Sequence, residues 1–274
     1  MENVRFSPQT GHNDHMGKKR RILLAVLLAA IGGIILWRVD QPRDPVYGGE
    51  PLSQWLKEYH PRILVENRDE VDDAIRHIGT NAIPTLLNML RSEDNAVKAA
   101  ALKLADRSGM AWVTLADERH IEAARGFSAL GAGAKDAVPA LIGIYDQRIS
   151  LDSQSAVVFA LGCIGPSARK AIPLLLEAAT NANKDLSQCA IRSLGQIHSE
   201  PEASVPALIR ALSETDQQTR HEAANALGAF GTNATAAIPA LVRAFKSQDK
   251  HIYRTAAAAL KAIDAEAAVK AGVK

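Results

Sequence analysis

The stretch Ala226-Leu-Gly-Ala-Phe-Gly-Thr-Asn-Ala-Thr-Ala-Ala-Ile-Pro-Ala-Leu-Val-Arg-Ala-Phe245 recurs, with variation, along most of the chain. Leu130, Leu161, Leu194 and Leu227 are each followed by a glycine, at Gly131, Gly162, Gly195 and Gly228. Leu161, Leu194, Leu227 and Leu260 stand 33 residues apart, and Pro173, Pro206 and Pro239 keep the same interval. Pro139 lies one step of 34 residues upstream. A fixed period in this range marks a stacked repeat array.

Each unit reads as two helices. The first runs through small and apolar residues to the Leu-Gly, and on to an apolar residue three past the leucine: Ile164, Ile197, Phe230 or Ile263. Small residues let neighbouring helices approach, and the glycine lowers helix propensity near the helix's end. The repeat proline is expected in the first turn of the second helix, where its missing N–H costs nothing. Apolar residues two, three and six further on, as in Leu208, Ile209 and Leu212, draw a single helical stripe. One pair cannot bury that stripe, but a stack of pairs can. Polar breaks such as Ser213-Glu-Thr-Asp216 separate the units, and their aspartates suit the N-cap of the next helix.

The pattern Ala-Leu-Gly, a short loop, Ala-Ile-Pro-Ala-Leu, then Asp216 with Arg220 or Asp249 with Arg254, resembles HEAT repeats, and in particular the short bacterial type first described in phycobilisome lyase subunits. The resemblance covers roughly residues 66–274. It implies an all-α superhelix, a HEAT-like solenoid of about five to six helical pairs. It also implies an interaction scaffold, since such folds specify activity only weakly. A hydrophobic content of 47% with 4% aromatics suits small-residue packing and leaves few aromatic platforms for bases or sugars.

Ahead of the array the chain changes character. Residues 1–21 are polar and end in Lys18-Lys-Arg-Arg21, as a disordered tail would. Residues 22–37 carry no charge and close on Trp37. They are expected to form a single transmembrane anchor, although 16 residues is short of the roughly 20 that span a bilayer. A cleaved signal peptide and a buried solenoid helix are the alternatives. The tail holds five cations, whereas Arg38 and Arg43 are offset by Asp40 and Asp44. That asymmetry places the amino terminus in the cytoplasm and the repeats on the extracytoplasmic side, which in a bacterium is the periplasmic face of the inner membrane. Residues 38–50, with Pro42, Pro45 and Gly48-Gly49, read as an irregular linker. Residues 51–60 put Leu52, Trp55, Leu56 and Tyr59 on one face, as a helix capping the array or, alternatively, one lying on a membrane or partner. Pro84 to Pro139 is 55 residues, so the array breaks at an irregular insertion near 107–116. Trp112 there either fills a gap or belongs to a binding loop.

No catalytic, cofactor or metal site is predicted. Cys163 and Cys189 fall seven residues out of step between neighbouring units, roughly 10 Å along a helix, too far for a disulfide. They are expected as small buried hydrophobes. His221-Glu222 is the kind of pair that HEAT-like deoxyhypusine hydroxylase repeats to hold two irons. One period away, however, stand Gln188-Cys189 and Arg254-Thr255. His198 with Glu200 and Glu202 reads as a polar loop. Nucleotide-loop, nucleophile-elbow and zinc-protease motifs are missing. The net charge is +2, of which the tail carries +3, so the array lacks the basic footprint of a nucleic-acid binder.

One surface stands out. Four residues after each repeat proline come Asn88, Gly143, Glu177, Arg210 and Arg243, a row that turns cationic toward the carboxyl terminus, with Arg91 and Lys246 near it. The resemblance puts the second helices on the concave face. The expectation is therefore a membrane-anchored scaffold without catalysis or small-molecule substrate, which contacts an unidentified protein partner through Arg210, Arg243, Lys246 and Trp112. A solvated face is the plain alternative for the cations. A lyase-like enzyme or enzyme subunit is the alternative for the whole.

Overall fold

The computed structural model describes residues 44–58, 68–93, 116–247 and 249–273. The tail, the 22–37 anchor, the start of the linker, the end of the cap segment and the insertion with Trp112 lie outside the described residues.

The described part of the linker is more ordered than its composition suggests. Gly48 and Gly49 take φ of +61° and +90°, which closes a two-residue turn between strands β1 (Val46–Tyr47) and β2 (Glu50–Pro51). The ribbon is pinned twice. Trp55 donates its indole N–H to the Tyr47 carbonyl at 3.1 Å, and the Tyr47 ring stacks on His77 at 4.8 Å. Helix α1 (Leu52–Lys57) follows, with Leu52 and Leu56 fully buried against the first helices of the array.

Six helical pairs follow among the described residues. They are α2 (Arg68–Ile78) with α3 (Ile83–Leu90), α4 (Ala116–Leu130) with α5 (Val138–Asp146), and α6 (Leu151–Ile164) with α7 (Ile172–Ala178). Then come α8 (Lys184–Ile197) with α9 (Pro201–Ala211), α10 (Gln217–Ala229) with α11 (Ile238–Lys246), and α12 (Lys250–Ile263) with α13 (Ala265–Ala271). First helices pack directly on one another along the stack, and each second helix packs against the first helix of the next unit. The repeat leucines Leu161, Leu194, Leu227 and Leu260, and the leucines two past each proline (Leu86, Leu141, Leu175, Leu208, Leu241), are all fully buried. They form one continuous core. The segments Asp117–Asp146 and Leu151–Ala178 are long and apolar enough to cross a bilayer by length and composition. Each is, however, the two helices of one unit joined by a 3-10 turn, with its apolar stripe in this core.

The glycines divide into two classes. Gly162, Gly195 and Gly228 lie in the last turn of their helices, one or two residues before the final one. Each faces the next first helix at close range, though not equally. A Cβ on Gly195 would stand 2.6 Å from Ala226 Cα, and one on Gly228 3.2 Å from Ala259 Cα. The turn is made instead by Gly79, Gly131, Gly165 and Gly231, all at positive φ. Gly131 is thus the counterpart of Gly165, not of Gly162, and Phe127 holds the repeat-leucine place in its unit, fully buried.

The fourth pair departs from this scheme. His198 stands one period from Gly165 and Gly231 and itself takes φ +36°, with Glu200 at φ +51°. Helix α9 consequently starts early, at Pro201, and Pro206 falls inside the helix instead of in its first turn. In the other four units with a repeat proline, that residue is at the helix start.

Units one and two are direct neighbours in the stack. Helix α3 packs on α4, and Ser153 of α6 donates to the Leu90 carbonyl at 2.7 Å.

Candidate partner-binding surface

Charge is used between units in two ways, and the difference defines the surface. The first is a ladder of cross-unit pairs. Arg148 bonds Glu177 at 3.2 Å, Arg169 bonds Glu200 at 3.1 Å, Arg192 grips Glu222 through two bonds of 2.7 and 3.1 Å, and Arg220 bonds Asp249 at 2.5 Å. Burial alone would raise the Glu222 pKa, but the Arg192 guanidinium and the Gln218 amide hold it below the usual carboxylate value. Asp249 is likewise lowered, by Arg220 first and then by the His251 N–H. Arg220 also donates to the Glu214 and Thr215 carbonyls, so it clamps the loop between units.

The same polar breaks cap the helices. Ser150, Asn183, Asp216 and Asp249 recur every 33 residues. Each accepts a backbone N–H in the first turn of its helix: those of Ser153, Leu186, Thr219 and His251. Asp216 is tied backwards as well, by the Gln188 amide at 2.9 Å.

The second use is cations left free. Arg210 on α9, with Arg243 and Lys246 on α11, are exposed. Among the described residues they make no ion pair and no side-chain hydrogen bond. Asn88, Gly143 and Glu177, their counterparts upstream, are also exposed. Glu177, however, is held by Arg148, so the row is free and cationic only in the two units that carry arginine.

Each of these arginines lines a groove. A groove of about 310 Å³ is formed by Ala179, Thr180, Ser187, Ala207, Arg210 and Ala211, among others. A second, of about 360 Å³, is formed by Leu212, Ser213, Arg220, Ala240, Arg243 and Ala244, among others. The first rim includes Lys184 and Glu214; the second has Ser247 in the place of Glu214.

The other candidate chemistry is absorbed by structure. Glu222 is buried and committed to Arg192, while His221 Nδ1 lies 3.3 Å from the Asn225 amide. Glu200 is paired with Arg169, and His198 Nδ1 lies 3.0 Å from the Gln196 carbonyl. Among the described residues no three histidines, cysteines or carboxylates come together as a metal site would require. Cys163 and Cys189, expected as small buried hydrophobes, are free thiols and half-buried. Burial pushes the Cys189 thiol up to about 11, which keeps it protonated and unreactive at neutral pH.

With this geometry in view, family models match two stretches: HEAT repeats over residues 205–271, and the PBS lyase HEAT-like repeat over residues 190–214. The matches lie in the carboxyl-terminal part of the array. No curated protein matches the chain. Among solved structures it is similar to an engineered protein with TM-score 0.43 and 19% identity, over 78% of this chain and 96% of that one. It is also similar to a designed armadillo repeat protein in complex with the peptide (KR)4, with TM-score 0.42 and 15% identity, over 78% of this chain and all of that one.

The cross-unit pairs carry a signal in the sequence. A basic residue precedes its acidic partner by 29 to 31 residues in all four: Arg148 and Glu177, Arg169 and Glu200, Arg192 and Glu222, Arg220 and Asp249. That is a little less than one period, as a contact between adjacent units needs.

Proposed function

We propose that this protein is a membrane-anchored scaffold whose second helices in units four and five receive an acidic surface of a partner protein. Residues 22–37 hold it in the bilayer, with the amino terminus in the cytoplasm and the array on the extracytoplasmic side, which is the periplasmic face of the inner membrane in a bacterial cell. It carries out no catalysis of its own. Stacked pairs bury a continuous core and leave one helix of each pair available for contact.

The observation that carries this reading is the contrast between the two sets of arginines. Arg148, Arg169, Arg192 and Arg220 are consumed in holding units together. Arg210 and Arg243 occupy equivalent places one period apart, line grooves, and are left unpaired. Such exposed charges add little to stability, but they steer and orient a charged partner.

Chemical crosslinking in native membranes tests the proposal, comparing wild type with an Arg210→Glu/Arg243→Glu variant. Recovery of a specific protein with wild type and its loss with the variant is the expected result. The same proteins recovered with both would reduce these arginines to a solvated face and overturn the assignment.

A further inference from the structure

We propose that the two grooves are successive copies of one subsite, and that they take an extended acidic segment with a carboxylate at every third residue. This rests on the reading that Arg210 and Arg243 receive an acidic partner, and specifies its form.

The six groove positions named above correspond one for one at an interval of 33 residues: Ala179 with Leu212, Thr180 with Ser213, Ser187 with Arg220, Ala207 with Ala240, Arg210 with Arg243, and Ala211 with Ala244. A group that fits one groove therefore has a second place one unit along. In both, alanines flank the arginine along the second helix, which leaves space beside an unpaired guanidinium.

The repeat sets the step. First helices of adjacent units pack on one another, packed helices lie about 8–10 Å apart, and the second helices follow at the same repeat step, so Arg210 and Arg243 stand apart by a distance of that order. A polyproline II segment rises about 3.1 Å per residue with three residues per turn, so it returns a side chain to the same face after about 9 Å. Carboxylates at i and i+3 then address both arginines from one edge. A β-strand turns its third residue to the opposite face, and an α-helix needs about six residues for the same rise, which is not a whole number of turns.

The local charges of the two places balance alike. The Arg210 groove holds Lys184 and Glu214 beside the arginine, and the Arg243 groove holds the paired Arg220 and Asp249. Upstream the row reads Asn88, Gly143 and the engaged Glu177, so affinity stops growing once two or three carboxylates are seated.

Fluorescence anisotropy with the full chain in detergent tests this, using labelled peptides as probes. One peptide is four repeats of Glu-Pro-Pro. The other has the same composition with its four glutamates contiguous. At an ionic strength of about 0.15 M, the spaced peptide is expected to bind at least about tenfold more tightly, because its second contact is intramolecular. Arg210→Gln or Arg243→Gln alone should bring it down to the level of the clustered peptide, with an unchanged circular dichroism spectrum. Equal affinities for the two peptides would overturn the spacing while leaving an acidic partner in place. No binding of either peptide would remove the acidic-partner reading itself. Oligothymidine binding as tightly as the spaced peptide would overturn the assignment to a protein carboxylate segment.

Discussion

At the scale of single residues, the same place in different units takes different solutions. Gly79, Gly131, Gly165 and Gly231 turn the chain at positive φ between paired helices, but unit four uses His198. A side chain in the left-handed region costs roughly 1–2 kcal/mol. Gly231→Ala should therefore destabilise by about that amount, whereas His198→Gly should stabilise by about 1 kcal/mol, less because glycine loses more chain entropy on folding. Chemical denaturation midpoints would show both signs. His120 offers a second test. It is buried, with Nε2 lying 3.0 Å from the Ser92 carbonyl. Because that oxygen only accepts, Nε2 carries the hydrogen. Nδ1 is buried with no partner among the described residues. Burial lowers the His120 pKa, although the Ser92 carbonyl, Asp152 and Asp117 oppose the shift; Arg119 adds to it. With a depressed folded-state value, the unfolded chain takes up a proton first. Stability is therefore full above about pH 6.5 and declines as pH falls through that value. The melting temperature of wild type should drop more between pH 7.5 and 5.5 than that of His120→Gln; equal drops would show that His120 is not the titrating group.

Between elements, the stack depends on how closely first helices approach. Gly195 and Gly228 hold equivalent places but have different clearances, 2.6 Å and 3.2 Å for an added Cβ. Glycine to alanine inside a helix gains about 1 kcal/mol in propensity, and overpacking costs about 1–3 kcal/mol. At Gly228 the two effects nearly cancel, so Gly228→Ala should move the denaturation midpoint little. At Gly195 the backbone of Ala226 blocks relaxation, and Gly195→Ala should destabilise clearly. This level was the most legible in the sequence. The 33-residue interval placed the pairs, the leucine core and the caps at Asp216 and Asp249, because a stacked array repeats its contacts as it repeats its residues. The function of the glycines was not legible in the same way. Glycine is compatible with a helix end and with close packing alike, and only the neighbouring helix distinguishes them. The register slip at Gly131 has the same origin, since Leu130-Gly131 imitates Leu161-Gly162 while belonging to the turn.

Across the whole molecule, the division of charge into paired and free arginines is the central claim. The sequence showed which residues are cationic and that Arg210 and Arg243 share a phase. It did not show which cations are already occupied, because a pair such as Arg192 with Glu222 forms across units. Loss of Arg192 would leave a buried carboxylate uncompensated. With Arg192 itself 44% exposed, the cost is discounted to about 1–2 kcal/mol. Loss of charge at Arg210 and Arg243 leaves nothing behind. The most direct measurement therefore sets thermal melting beside partner capture from native membranes, for Arg192→Gln and for Arg210→Glu/Arg243→Glu. Arg192→Gln should melt earlier and still capture the partner, while the double variant should melt like wild type and capture nothing. A double variant that keeps the partner, or loses it only together with its fold, would contradict the account.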